Sequence, residues 1–198
     1  MTTSPLMQNT APKAGVFSMQ MLIVYHSDYG NTEKMAHSIA AGAKAANTHI
    51  KIQLKQAEHT TLADLIDADV LVFGSPVHMG SMAWQMKQLI DRAAKLWKPQ
   101  ELAGKLGGVF VSGGGFGNAG GGVELTMMSL HSHFLQQGML VAGFPMDAIG
   151  YADGGLQWGA YARSANAQGM PTDISEKSLA AARSYGAHLC HLGIKLNK

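Results

Sequence analysis

Three short segments carry side chains suited to chemistry, and each directly follows an apolar run. The first, Ser27-Asp28-Tyr29-Gly30-Asn31-Thr32, lies between Met21–Tyr25 (MLIVY) and a stretch of helix formers from Glu33 to Ala46. Free backbone N–H groups and the dipole at a helix start favour an anion. Hydroxyls of Ser27 and Thr32 add donors, and Gly30 lets the backbone turn closely around a phosphate. This loop contains neither GxxxxGK[ST] nor GxGxxG, which argues against a nucleoside triphosphate or a dinucleotide on it. A phosphate monoester held by hydroxyls and amides fits better; an Asx-rich turn that merely caps a helix is the plain alternative.

The second segment, Ser75 to Ser81 (SPVHMGS), follows the apolar run Val70–Gly74. Pro76 restricts the chain and Gly80 relaxes it. Val77, His78 and Met79 offer one apolar, one titratable and one polarizable side chain, a set able to line a flat aromatic ring; a connecting turn would look the same. In the third segment, Gly113 to Gly122 (GGGFGNAGGG), seven of ten residues are glycine. A flexible linker has this composition, but a linker has no task between a core strand and a helix of one domain. The reading that remains is a backbone free to approach the edge of a planar ligand, with Phe116 the one bulky side chain.

The elements that must position these loops follow from periodicity. Residues 1–18 mix Thr, Ser, Pro, Asn and Ala without a period and read as a flexible tail, leaving 19–198 as the folded domain. Strands are expected at 21–25, 49–54, 70–74 and 106–112, with a fifth starting at Leu140. Helices are expected at 33–46, 62–68, 82–96 and 123–137. Gly143 to Pro171 is too irregular and long for an ordinary connection, which marks it as functional. A last helix is expected from Asp173, capped by Asp173 and Glu176, to about Leu192. Strands alternating with helices predict an α/β fold with a parallel sheet, whose ligands bind outside the carboxyl ends of the strands.

The 198 residues suit one domain; 46% are hydrophobic and 14% charged, against about 25% charged in an average domain. A net charge of +2 without basic clusters argues against nucleic acid. No apolar run reaches the roughly 20 residues of a membrane span, and the N-terminus lacks a secretion signal. The lone Cys190 is compatible with a reducing cytoplasm.

Taken together, YHSDYGNTEKMA, FGSPVHMGSMAWQMKQLID, LW at Leu96 and Trp97, GKLGGVFVSGGG, QQGM from Gln136 to Met139, and WGA from Trp158 to Ala160 resemble the flavodoxin-like flavoproteins. Among these they are most similar to the WrbA-type NAD(P)H:quinone oxidoreductases. The resemblance runs from Met21 to near the C-terminus. It implies a flavodoxin-like three-layer sandwich, with a five-stranded parallel sheet of order 2-1-3-4-5 and helices on both faces. It also implies noncovalent FMN, NADH or NADPH as co-substrate, a quinone-like acceptor, and a homodimer or homotetramer.

Carried across, Ser27, Tyr29, Gly30, Asn31 and Thr32 would hold the phosphate. Pro76, Val77, His78, Met79, Gly80 and Ser81, with Ser112, Gly113, Gly114, Gly115 and Gly117, would surround the ring. The chain departs from the pattern at Val77, His78, Met79 and Ser81, where the family usually carries Thr, Arg, Phe and Asn. It departs again at Gln136-Gln137, where the family has a His pair with an imidazole facing the flavin. Trp97 matches a tryptophan that helps wall the family's active site, and a helix-end core aromatic is the other reading. Trp158 and Tyr161 suit a lid or a subunit contact equally. His78, the titratable group nearest the expected ring site, is the candidate catalytic residue, binding the acceptor or the charge on reduced flavin. Competing functions are a one-electron carrier, disfavoured by the absence of strong acidity, and a flavin-responsive binding protein.

Overall fold

The fold comes from a computed structural model that describes residues 19–197; the tail expected at 1–18 lies outside them. The chain runs β1 (Gln20–Tyr25), α1 (Asn31–Ala46), β2 (Lys51–Gln56), α2 (Leu62–Asp67), β3 (Val70–His78) and β4 (Ser81–Met82). It continues through α3 (Trp84–Ala93), β5 (Leu106–Gly113), α4 (Val123–Gln136), β6 (Leu140–Val141), α5 (Tyr151–Gly154), β7 (Gly155–Leu156), β8 (Gly159–Arg163) and α6 (Glu176–Leu196).

Period-two alternation in the central strands sorts side chains onto two faces of one sheet. Met21, Ile23 and Tyr25 of β1, with Val70 and Val72 of β3, pack against Met35 and Ile39 of α1 and Tyr185 and Leu189 of α6. Leu22, Val24, Leu71 and Phe73 point the other way, onto Leu65 of α2, Met86 and Leu89 of α3, and Met127, Leu130 and Phe134 of α4. Both faces being covered explains why β1, β3 and β5 are nearly continuous apolar runs, whereas edge strand β2 alternates and stays half exposed.

The long strands follow the order β2-β1-β3-β5-β8, all parallel. That is the expected 2-1-3-4-5, but the sheet has eight strands rather than five, and the fifth position differs from expectation. Leu140 and Val141 pair only with Leu106 and Gly107. The chain then leaves the sheet and returns as β8, whose Ala160–Arg163 pair with Phe110–Gly113. The stretch expected to be irregular therefore supplies the outer strand beside the glycine loop. Two further short strands, β4 and β7, pair antiparallel with β3 and β8.

The start of α6 also departs from expectation. Asp173 does not cap it, because its carboxylate is engaged by Lys34 at 2.6 Å. Ser175 is the cap, its hydroxyl accepting from the Ser178 amide at 3.1 Å. The capping box of this fold stands instead on α2, between Thr61 and Asp64.

Candidate functional site

At the carboxyl ends of β1, β3 and β5 the three loops converge on one cavity, the position expected for an open parallel sheet. Its lining includes Ser27, Asp28, Tyr29, Asn31 and Thr32 from the first loop, Pro76, Val77 and His78 from β3, and Ser112, Gly113 and Gly114 from β5 and beyond. Its enclosed volume is about 150 Å³, small against the roughly 300 to 1,000 Å³ of pockets that bury a whole ligand. A ligand here is only partly enclosed, and exposed Tyr29, Met79 and Phe116 are available around it.

The first loop is short and tightly packed. The His26 amide still donates to Gly74 of β3, and Gly30 takes a left-handed conformation (φ 81°) to open α1. Thr32 is buried, its hydroxyl 2.8 Å from that of Ser112, which ties the phosphate loop to β5. The Asn31 side-chain nitrogen Nδ2 donates to the Thr172 carbonyl at 2.8 Å. Two atoms are left over: the Ser27 hydroxyl and the carbonyl oxygen of the Asn31 side chain are buried without a hydrogen-bond partner among the described residues. Buried orphans of this kind call for an explanation. FMN would meet both needs, since it brings phosphate oxygens to accept and hydroxyls to donate. Among the described residues no Lys or Arg lines the cavity, so a phosphate there would be held by neutral donors and the start of α1.

The second segment is not a loose loop. β3 continues to His78 and turns back at once into β4, with Val77 opposite Met82 and His78 opposite Ser81. The two turn residues, Met79 and Gly80, both have positive φ (46° and 83°), as a tight two-residue hairpin demands. His78 is thus set by a strand pair, with its Nε2 2.9 Å from Oδ2 of Asp28. Pro76 and Val77 line the cavity; Met79, Gly80 and Ser81 form the hairpin tip outside its lining.

The glycine loop is only partly a ligand surface. Gly113 and Gly114 line the cavity, whereas Gly115 and Gly117 do not. Arg163 donates to the carbonyls of Gly115, Ala119 and Asn166 at 2.8, 3.0 and 3.1 Å. The Gly117 amide donates to Ala167. A Cβ on Gly113 would come within 2.6 Å of Val77, and one on Gly122 (φ 103°) within 2.6 Å of the Gly80 backbone. Several of these glycines exist so that the loop can close on the hairpin. The phenol of Tyr161, held protonated by burial, donates to Gly113 at 3.1 Å.

The flavodoxin family model matches residues 23–149. The chain belongs to the flavodoxin family. A protein of Geotalea uraniireducens named NAD(P)H dehydrogenase (quinone) is 34% identical over 90% of this chain and 99% of its own length. One of Paracoccus denitrificans with the same name is 32% identical over 89% and 94%. Among solved structures, a WrbA-like flavodoxin from Agrobacterium tumefaciens is 27% identical, with a TM-score of 0.67 over 90% of this chain and 99% of that one.

Within this flavodoxin fold, the remaining walls of the cavity are Ser164, Ala165, Gly169 and Pro171, which no loop motif singled out. Their one sequence signal was the unusual length of the segment after Leu140. Trp158 and Tyr161 belong to the packing rather than to a lid: both pack against the core, and Nε2 of His131 lies 2.6 Å from the Trp158 carbonyl oxygen. Gln136 and Gln137 sit at the far end of α4, lining a groove against α3 with Trp97 instead of the cavity. Trp97 is exposed there. Among the described residues no group of His, Cys, Asp and Glu is arranged to hold a metal ion, and no helix is long and apolar enough to cross a membrane.

Proposed function

We propose that residues 19–198 are an FMN-binding domain and that the protein is an FMN-dependent NAD(P)H:quinone oxidoreductase. FMN, when bound, supplies the two-electron chemistry between NADH or NADPH and a quinone-like acceptor. The chain's own residues bind and orient. Ser27, Tyr29, Gly30, Asn31 and Thr32 hold the phosphate end. Pro76, Val77 and His78 flank the ring from one side and Ser112, Gly113 and Gly114 from the other, with Met79, Gly80, Ser81, Gly115 and Gly117 meeting only the part that projects beyond the cavity. His78 meets the acceptor.

The observation that carries this reading is the pair of orphaned buried atoms, Ser27 Oγ and Asn31 Oδ1, in a cavity framed by three strand ends. The names of the relatives support the acceptor class. Net charge of +2 weighs against a carrier that steers by strong acidity. The test is anaerobic: FMN-loaded protein receives NADH or NADPH and then benzoquinone, while flavin absorbance is followed. Bleaching by the nicotinamide and recovery on quinone addition are expected; a flavin that stays oxidised with both nucleotides would overturn the reading.

The same reading includes a homodimer or homotetramer. Supporting it, Trp84 and Trp97 with Leu125, Met128 and Leu135 of α4 are exposed large apolar side chains. Trp97→Ala is expected to shift sedimentation towards smaller species and lower quinone reduction, with FMN affinity unchanged. A cytoplasmic setting agrees with a single, buried thiol at Cys190.

A further inference from the structure

From the cavity wall inward runs a chain of four titratable side chains from three elements. Nε2 of His78 is 2.9 Å from Oδ2 of Asp28. Oδ1 of the same carboxylate is 3.2 Å from Nε2 of His26, and Nδ1 of His26 is 2.7 Å from Oε1 of Glu58. The two imidazole rings stand edge to face, with centroids 6.4 Å apart. Glu58 comes from the turn after β2, His26 and Asp28 from the end of β1, and His78 from the β3–β4 hairpin.

A carboxylate in an anion-binding loop is unexpected, since it repels the phosphate it sits beside. Its partners explain it. Both oxygens of Asp28 are turned onto imidazoles, and His26, itself buried, is bracketed by a second carboxylate. Each nitrogen of His26 faces a carboxylate oxygen. His26 thus fixes the rotamer of Asp28, and Asp28 holds one nitrogen of His78.

We propose that Asp28, braced through His26 by Glu58, is a positioning residue for His78, leaving Nδ1 of His78 as the nitrogen that gives the acceptor a proton. This rests on the quinone reading. Reduction of a quinone by NAD(P)H needs one hydride and one proton: quinone, NAD(P)H and H⁺ become hydroquinone and NAD(P)⁺. The hydride carries both electrons and one hydrogen. The second O–H bond forms as the Nδ1–H bond of His78 breaks, and the imidazole regains its proton from water. A carboxylate on Nε2 keeps that nitrogen's hydrogen in place through the transfer and leaves Nδ1 for the acceptor, the logic of a carboxylate–histidine pair.

The test has two independent arms. In the first, ¹⁵N NMR of the imidazoles in FMN-free protein reads the tautomer of His78. Nε2–H should dominate in the wild type and give way to a mixture in Asp28→Asn, with a smaller change in Glu58→Gln. In the second, Asp28→Asn should lower kcat with quinone at least about tenfold with KM within about twofold, while FMN binds as tightly as before or more so. An unchanged tautomer, or an unchanged kcat, in Asp28→Asn would overturn the proposal. Wild-type protein that binds FMN yet reduces no quinone would overturn the acceptor reading and the proton step with it; a tautomer shift in that case would leave the positioning by Asp28 standing.

Discussion

The first loop and the glycine loop meet the same cavity by opposite means. Residues 27–32 are ordinary in composition, yet five of the six line it, and they leave two buried polar atoms for a ligand. Residues 113–122 are extreme in composition, yet only Gly113 and Gly114 line it. Arg163 and the Gly80 hairpin engage much of the remainder. The contrast teaches that glycine enrichment reports where backbone must come close to something, and here that something is largely the protein itself.

The comparison breaks most visibly at Gly122. Its positive φ and its backbone contact with Gly80 mean that Gly122→Val should cost about 3 to 4 kcal/mol of stability in urea unfolding. A loss under about 1 kcal/mol would return the loop to a purely ligand-facing role.

The helix that follows the glycine loop gives the next largest effect. His133, stacked on Phe73 with centroids 5.8 Å apart, is pushed down to about 4 by burial. The unfolded chain takes up this proton near the ordinary 6.5, so between those values the unfolded state binds more protons. Stability should fall as pH drops through that window, by about 3 kcal/mol for this group. His133→Phe should remove that part of the slope in denaturation curves recorded from pH 7 to 4.

Gly30 tests the phosphate loop. A Cβ there meets nothing within 4 Å, but φ is 81°, so Gly30→Val strains the backbone by about 2 kcal/mol. Where the loop relieves that strain by leaving its ligand-binding shape, FMN affinity should fall by up to roughly thirtyfold in a fluorescence titration, and wild-type protein should prefer FMN to riboflavin. Equal affinity for riboflavin would remove the phosphate from residues 27–32. The smallest effect is expected at Gly120, which has open space and no positive φ. Gly120→Ala should change stability by less than about 0.5 kcal/mol, dividing the glycine loop into constrained and free positions.

Much of this was legible in the residues because it is local. Apolar runs of five to eight residues separated by helical periods specify a parallel sheet covered on both faces, and Ser27 to Thr32 between a strand and a helix fall at the strand-end cavity. The cap of α6 lies two residues beyond the expected Asp173, because Ser175 supplies it while the Asp173 carboxylate pairs with the distant Lys34. A strand does start at Leu140, but it pairs for only two residues, and the pairing beside the glycine loop belongs to Gly159–Arg163.

The sequence by itself determined the main strands and helices as far as Leu140, the two faces of the core and which loops lie at the strand ends, since each follows from side-chain periodicity and backbone preference within a short window. Only the tertiary structure decided what those loops touch. Arg163 was one basic residue among 15 Lys and Arg until β8 brought it under the glycine loop. Glu58, His26, Asp28 and His78 span two crossovers of the sheet. The distances that join them are set by parallel strand pairing, a non-local contact that no spacing along the chain encodes.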